Sequence, residues 1–198
     1  MARTVTAAEL QAALRRRHQQ ASVPLGGSSK NQRVLAIDPA LRHTGWAVLE
    51  GNAQRTQALA WGTIANPAKF STAACLLEIH RQLGAVIAEH QPEVCAIEST
   101  IFVQSMRTAI TLGMSSGACL IAAAAAGLPV FQYAPREIKQ AAVGRGGAQK
   151  SQVAFMMRSL LGLRETPAAD AADALAVGLT HLQANQAEQS TGRDRRKL

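Results

Sequence analysis

RVLAIDPALRHTGWAVLE, residues 33–50, holds two short strand-like runs joined by a turn-prone segment, and the first run ends on a carboxylate, Asp38. Val34, Leu35 and Ile37 are apolar residues of the kind that fill a buried pleated surface. Asp38-Pro39 opens the connection, as Asp-Pro pairs commonly do. A third run, QALAWGTI at residues 57–64, follows after further turn-prone residues. Three such runs in succession predict an antiparallel meander.

Beyond the meander the pattern changes period. Leu76, Ile79, Leu83, Val86 and Ile87 fall on one helical face between Ser71 and His90. EVCAIE, residues 93–98, reads as a fourth, buried strand, and LPVFQYA, residues 128–134, as a fifth. Between them, residues 104–126 predict a helix rich in alanine, with Gly113 and Gly117. Small residues let such a helix approach a sheet or a second subunit closely. Helices are expected near 135–143, 148–162 and 168–184. The whole predicts a mixed five-stranded α/β sheet covered by helices.

Four carboxylates stand at the ends of apolar segments: Asp38, Glu98, and Asp170 with Asp173 in PAADAADALAVGL. The last two are three residues apart on a helix and share a face. No lysine or arginine lies between Arg164 and Arg193 to neutralise them. Each acid has a plainer explanation: a helix cap for Asp170 and Asp173, a solvated strand end for Glu98, a turn for Asp38. Together, if the first and fourth strands pair in parallel, they form a cluster that repels itself unless a multivalent cation intervenes. Oxygen donors without cysteine or histidine favour Mg²⁺ or Mn²⁺ over zinc.

The chain has 198 residues and 47% apolar content, enough for one domain with a sizeable core. Its longest apolar stretch, near residues 117–131, is interrupted by Gly127 and Pro129, so no membrane span and no membrane partner is expected. The N-terminus has no signal-peptide core. Cys75, Cys95 and Cys119 are odd in number and far apart, which suits reduced thiols in the cytoplasm.

The net charge of +8 is concentrated at the ends. Residues 1–33 carry six Lys/Arg against one acid, and residues 193–198 carry four against one. The expected division is an N-terminal extension at 1–32, with an amphipathic helix near Ala7 to Gln20, a domain at 33–184 and a basic tail at 185–198. Inside the domain, Arg136, Lys139, Arg145, Lys150, Arg158 and Arg164 face only Glu137 across residues 136–164. A basic stretch ahead of an acidic pair suits an enzyme that holds a polyanion beside bound metal. A solvated helix face is the alternative.

VLAIDPALRHTGWAVL, AIES, REIKQAAVGRGGAQKSQV and PAADAADALAVGLTH together closely resemble the RuvC family of Holliday-junction resolvases, over residues 33 to about 184. The resemblance implies a ribonuclease H-like fold with helices on both faces of the sheet. It places the catalytic, metal-binding acids on Asp38, Glu98, Asp170 and Asp173, and the DNA-phosphate lysines on Lys139 and Lys150. It further implies two Mg²⁺ ions per site, with Mn²⁺ as a substitute, a homodimer, paired nicks in a four-way DNA junction, and cooperation with the RuvA-RuvB branch-migration complex. Arg145, Ile101 and Phe102 complete the expected DNA contacts.

Three positions depart from the family pattern. Ala40 replaces the usual glycine after Asp-Pro, removing a residue tolerant of positive φ. Ile101 stands where an aromatic often stacks on the junction, with Phe102 next to it. The extension at 1–32 has no counterpart. Lys150 at a helix start opposes the helix dipole, a conflict that a bound phosphate relieves. GRGGAQKS, residues 144–151, is not an NTPase loop, because Gln149 stands where glycine must precede lysine. His181 is expected to be an exposed helix residue, and Trp46, Trp61 and Tyr133 to pack in the core. The rival readings are an actin-like kinase, which needs a glycine-rich turn after the aspartate, a DNA-binding module with a defunct site, and an RNA-processing relative.

Overall fold

The computed structural model describes residues 31–52, 54–99, 105–144 and 149–191, with the side chains of 150 and 186–191 left aside. Five strands, β1 (Gln32–Asp38), β2 (His43–Gly51), β3 (Thr56–Ala65), β4 (Val94–Glu98) and β5 (Val130–Tyr133), form one sheet in the order β3-β2-β1-β4-β5. β1, β2 and β3 are the expected antiparallel meander. β4 and β5 join in parallel. The helices are α1 (Thr72–His90), α2 (Met106–Ala125), α3 (Pro135–Val143), α4 (Lys150–Leu160) and α5 (Ala169–Thr191). The last helix continues to Thr191, past the expected end at 184, because nothing in QANQAEQST breaks a helix. The expected N-terminal helix near Ala7 to Gln20 lies outside the described residues.

Each strand sorts its side chains to two cores by the two-residue period. Leu35, Ile37, Val48, Cys95 and Ile97 pack with Ile79, Leu83 and Ile87 of α1 and with Ala118, Cys119 and Ala122 of α2. Val34, Ala36, Ala47, Leu49, Val94, Ala96 and Tyr133 pack with α5, flanked by Ile138 of α3 and Met157 of α4. Helices therefore cover both faces, as expected. Ser71 caps α1 by accepting from the Ala74 N–H, and Glu137 caps α3 by accepting from Ala134 N–H at 2.8 Å.

By length and composition alone, α2 is apolar enough to cross a membrane, although an arginine and glycines interrupt its apolar run. Its small residues Ser115, Ala118, Cys119, Ala122 and Ala123 are buried, with Ala118, Cys119, Ala122 and Ala123 in the core it shares with the sheet. Its opposite side is exposed. Trp46 packs over Gly62, and Tyr133 is buried. Trp61 corrects its expectation: it is 38% exposed, on a strand at the sheet edge with no neighbour beyond it.

Candidate metal and nucleic-acid site

Asp38 ends β1 and Glu98 ends β4, and these strands pair in parallel with Ile37 opposite Ile97. The next residues on each strand are the two acids, so they stand side by side at the carboxyl ends of adjacent strands. Val34 and Ala36 face the α5 core, and so do Val94 and Ala96. Alternation then puts Asp38 and Glu98 on the same face. That face is the one α5 covers.

A glycine decides how closely α5 approaches. Gly45 is the strand partner of Asp38, and a β-carbon built on it would stand 2.0 Å from the Asp170 carbonyl oxygen. Any side chain there would push the first turn of α5 off the sheet. Its absence brings Asp170 to the position beside Asp38. Asp173, one turn on, is half-buried on the same helix. At a helix N-terminus these negative charges are also favoured by the dipole.

The charge of Asp38 is felt on the far side of the sheet. After burial, it is the next cause that pushes the Cys119 thiol up to about 12. Cys95 is raised further still by burial and by Cys119. Cys75, Cys95 and Cys119 are buried, unbridged thiols, in keeping with the expectation.

Ala40 does not strain the turn after Asp38. Among the described non-glycine residues only Gln91 has positive φ, so the turn does without the conformation a glycine would supply. Thr44 Oγ1 donates to the Ala40 carbonyl and holds the connection closed.

Among the described residues, no three carboxylate, imidazole or thiol groups converge tightly enough to cage a metal ion by themselves. Mg²⁺ characteristically uses one or two carboxylates and completes its octahedron with water and substrate phosphate. An open set of oxygen donors on one face fits that ion in chemistry. It also fits a reaction in which the substrate finishes the site.

Most of the expected basic residues lie on the two helices that precede α5. Lys139 is half-buried on α3 and Arg136 exposed beside it. Lys150 is the first residue of α4, where Gln149 N–H donates to Gln152 Oε1 at 3.0 Å. Both helices pack against α5. Arg145, Ile101 and Phe102 lie outside the described residues.

His181 departs from its expectation. It is 2% exposed, accepts from Tyr133 Oη at Nδ1 (2.7 Å) and donates from Nε2 to Gln32 Oε1 (3.0 Å). Gln32 Oε1 also accepts from Asn185 Nδ2, so it has no proton to offer and the ring hydrogen sits on Nε2. No periodic signal in the sequence distinguishes this histidine from an exposed one, because its partners lie 48 and 149 residues away.

The sequence pattern described as crossover junction endodeoxyribonuclease RuvC matches residues 34–181. The chain belongs to the RuvC family. A RuvC of Akkermansia muciniphila is 55% identical over 76% of this chain and 90% of its own length. One from Sorangium cellulosum is 44% identical over 77% of this chain and 85% of its own. Among solved structures, Thermus thermophilus RuvC in complex with Holliday junction substrate superposes with a TM-score of 0.74, at 34% identity, over 80% of this chain and 97% of that one. The yeast mitochondrial Holliday junction resolvase shares the fold alone, at 16% identity and a TM-score of 0.56 over 91% of this chain and 87% of that one. The RuvC fold, a mixed five-stranded ribonuclease H-like sheet, is the architecture described above.

Proposed function

We propose that this RuvC-family chain is a divalent-metal-dependent endonuclease that resolves Holliday junctions in recombination and DNA repair, through Asp38, Glu98, Asp170 and Asp173. The observation that carries this reading is the contact of Gly45 with Asp170 beside Asp38, which brings the acids of a sheet and a helix to one face. Two Mg²⁺ ions, replaceable by Mn²⁺, would activate water and stabilise the leaving oxygen. Asp38, Glu98, Asp170 and Asp173 would hold the ions. Lys139, Lys150 and Arg145 hold backbone phosphate, while Ile101 and Phe102 meet the junction centre. In domain terms, residues 33–184 are the nuclease and the two ends are appendages.

A homodimer supplies the second cut. Met106, Ile110, Met114 and Ile121 are exposed on α2, and Gly113 and Gly117 open onto empty space beside them. These positions recur at intervals of three and four, so they form one apolar face. A second copy of α2 covers it, and the glycines allow the two backbones a close approach. The protein acts in the bacterial cytoplasm with RuvA and RuvB; its unbridged thiols support a reducing compartment.

The test is a labelled synthetic four-way junction, a linear duplex and a structured RNA, each incubated with the protein with and without Mg²⁺. Paired, symmetric, Mg²⁺-dependent nicks in the junction alone are the expected result. Equal cutting of duplex, or cutting of RNA alone, overturns the reading.

A further inference from the structure

α5 buries small and large residues together: Ala171, Ala172, Ala174 and Ala176 are essentially fully buried, and so are Leu175, Val177 and Leu182. At Gly178 a β-carbon would stand 2.4 Å from Leu49 Cδ1 and 3.1 Å from Ala36 Cβ. Apolar contacts are non-directional, so they hold the helix against the sheet without a bonded partner that fixes its register along its axis. A metal site needs that register. Its ligands must be held to about 0.5 Å, and half of the acids here ride on the helix.

One buried polar network supplies direction. His181 on α5 joins Gln32 on β1 and Tyr133 on β5. β1 is the strand that ends on Asp38. Tyr133 is the strand partner of Glu98, and its carbonyl accepts from Ser99 N–H at 2.9 Å, immediately after Glu98. Asn185, one turn beyond His181, donates to the same Gln32 oxygen at 3.0 Å. The network therefore ties together the helix bearing Asp170 and Asp173, the strand bearing Asp38, and the neighbour of the strand bearing Glu98. Hydrogen-bonded networks that reach into a core favour a single arrangement of it.

We propose that His181 is a positioning residue for the metal site: by bonding Tyr133 and Gln32 it sets the axial register of α5, and so the place of Asp170 and Asp173 against Asp38 and Glu98. His181 lies eight residues beyond Asp173, about 12 Å along a straight helix, so it acts as the far anchor of a rigid rod. Gly45 is the near anchor. The proposal rests on the assignment of the four acids given above.

The experiment uses the full chain and the variants Tyr133→Phe, His181→Gln and His181→Leu, with Asp38→Asn as control. Tyr133→Phe removes one donor and preserves the ring; His181→Gln offers an amide near the Nε2 position. Three readouts are taken well below each variant's melting temperature. They are junction affinity without metal, Mn²⁺ affinity of the protein alone by calorimetry, and single-turnover cleavage against Mg²⁺ concentration. His181→Leu should weaken Mn²⁺ binding and raise the Mg²⁺ half-saturation by about tenfold, the lower end of what outer-shell changes do to metal sites. Tyr133→Phe should move both in the same direction, His181→Gln should recover part of the loss, and metal-free junction affinity should not change. Metal affinity and half-saturation within twofold of wild type in Tyr133→Phe and His181→Gln, with an inactive Asp38→Asn, would overturn the positioning role and leave the site intact. An active Asp38→Asn would overturn the site itself, and the role of His181 with it. Should His181→Leu fail to fold, Tyr133→Phe alone decides.

Discussion

The two faces of the central sheet are made by the same five strands yet differ in kind. The face under α1 and α2 is apolar: leucine, isoleucine, valine, alanine and the buried thiols of Cys95 and Cys119. The face under α5 has an apolar centre with polar groups around it, the acids at the carboxyl ends of β1 and β4 and the Gln32–His181–Tyr133 network running from the start of β1 to the end of β5. A single-residue slip of β1 would exchange the two, sending Asp38 into the α1–α2 core. One face stores stability and the other stores geometry. A helix can be placed loosely on the first and not on the second.

The sharpest way to break this comparison is to remove a charge on the α5 face. Asp38→Asn should lower single-turnover junction cleavage by at least about 10²–10³-fold, the scale at which a positioned electrostatic group is lost, while junction binding persists. A near wild-type rate would show that this face does not carry the chemistry. The mirror experiment is Ile79→Ala on the other face, where the side chain is fully buried. It should reduce stability by about 2–5 kcal/mol in denaturant titration, without moving the Mg²⁺ half-saturation at a temperature where the variant is folded. Native Cys95 and Cys119 should also resist alkylation until the denaturant midpoint is reached, because burial disfavours their thiolates.

A subtler comparison lies within the α5 face. Gly45→Ala meets backbone at Asp170, whereas Gly178→Ala meets the movable end of Leu49. Both should destabilise by roughly 1–3 kcal/mol through overpacking, but at matched stability Gly45→Ala should lose far more cleavage activity. Equal activity would mean that the first turn of α5 need not sit against the sheet.

The smallest effect belongs to neither face. Glu78 on the outer side of α1 is held at about 2, from 4.5, by hydrogen bonds from Arg81 and then Gln82. A depressed carboxylate contributes stability above its unfolded value, lost as pH falls from about 4.5 through 2. The pair is solvent-exposed and screened. Arg81→Ala should lower the melting temperature only slightly at neutral pH, and that small difference from wild type should vanish as pH falls from about 4.5 through 2.

What the amino-acid order determined by itself was everything that depends on neighbours along the chain. The meander came from three apolar runs and their turns, α1 from its four-residue spacing, and the start of α4 at Lys150 from the glycines before it. Asp38 and Glu98 stood out because each ends an apolar run, and Asp170 and Asp173 because the segment between Arg164 and Arg193 holds no lysine or arginine. The tertiary structure decided what depends on residues far apart. Parallel pairing of β1 with β4 set Asp38 beside Glu98, and Gly45 is where the first turn of α5 meets the sheet. His181 changed from an exposed helix residue to the buried link between Gln32 and Tyr133. Periodicity reports which face a side chain occupies; only packing reports what stands opposite, because close approach and hydrogen bonding act through space and leave no mark on local sequence.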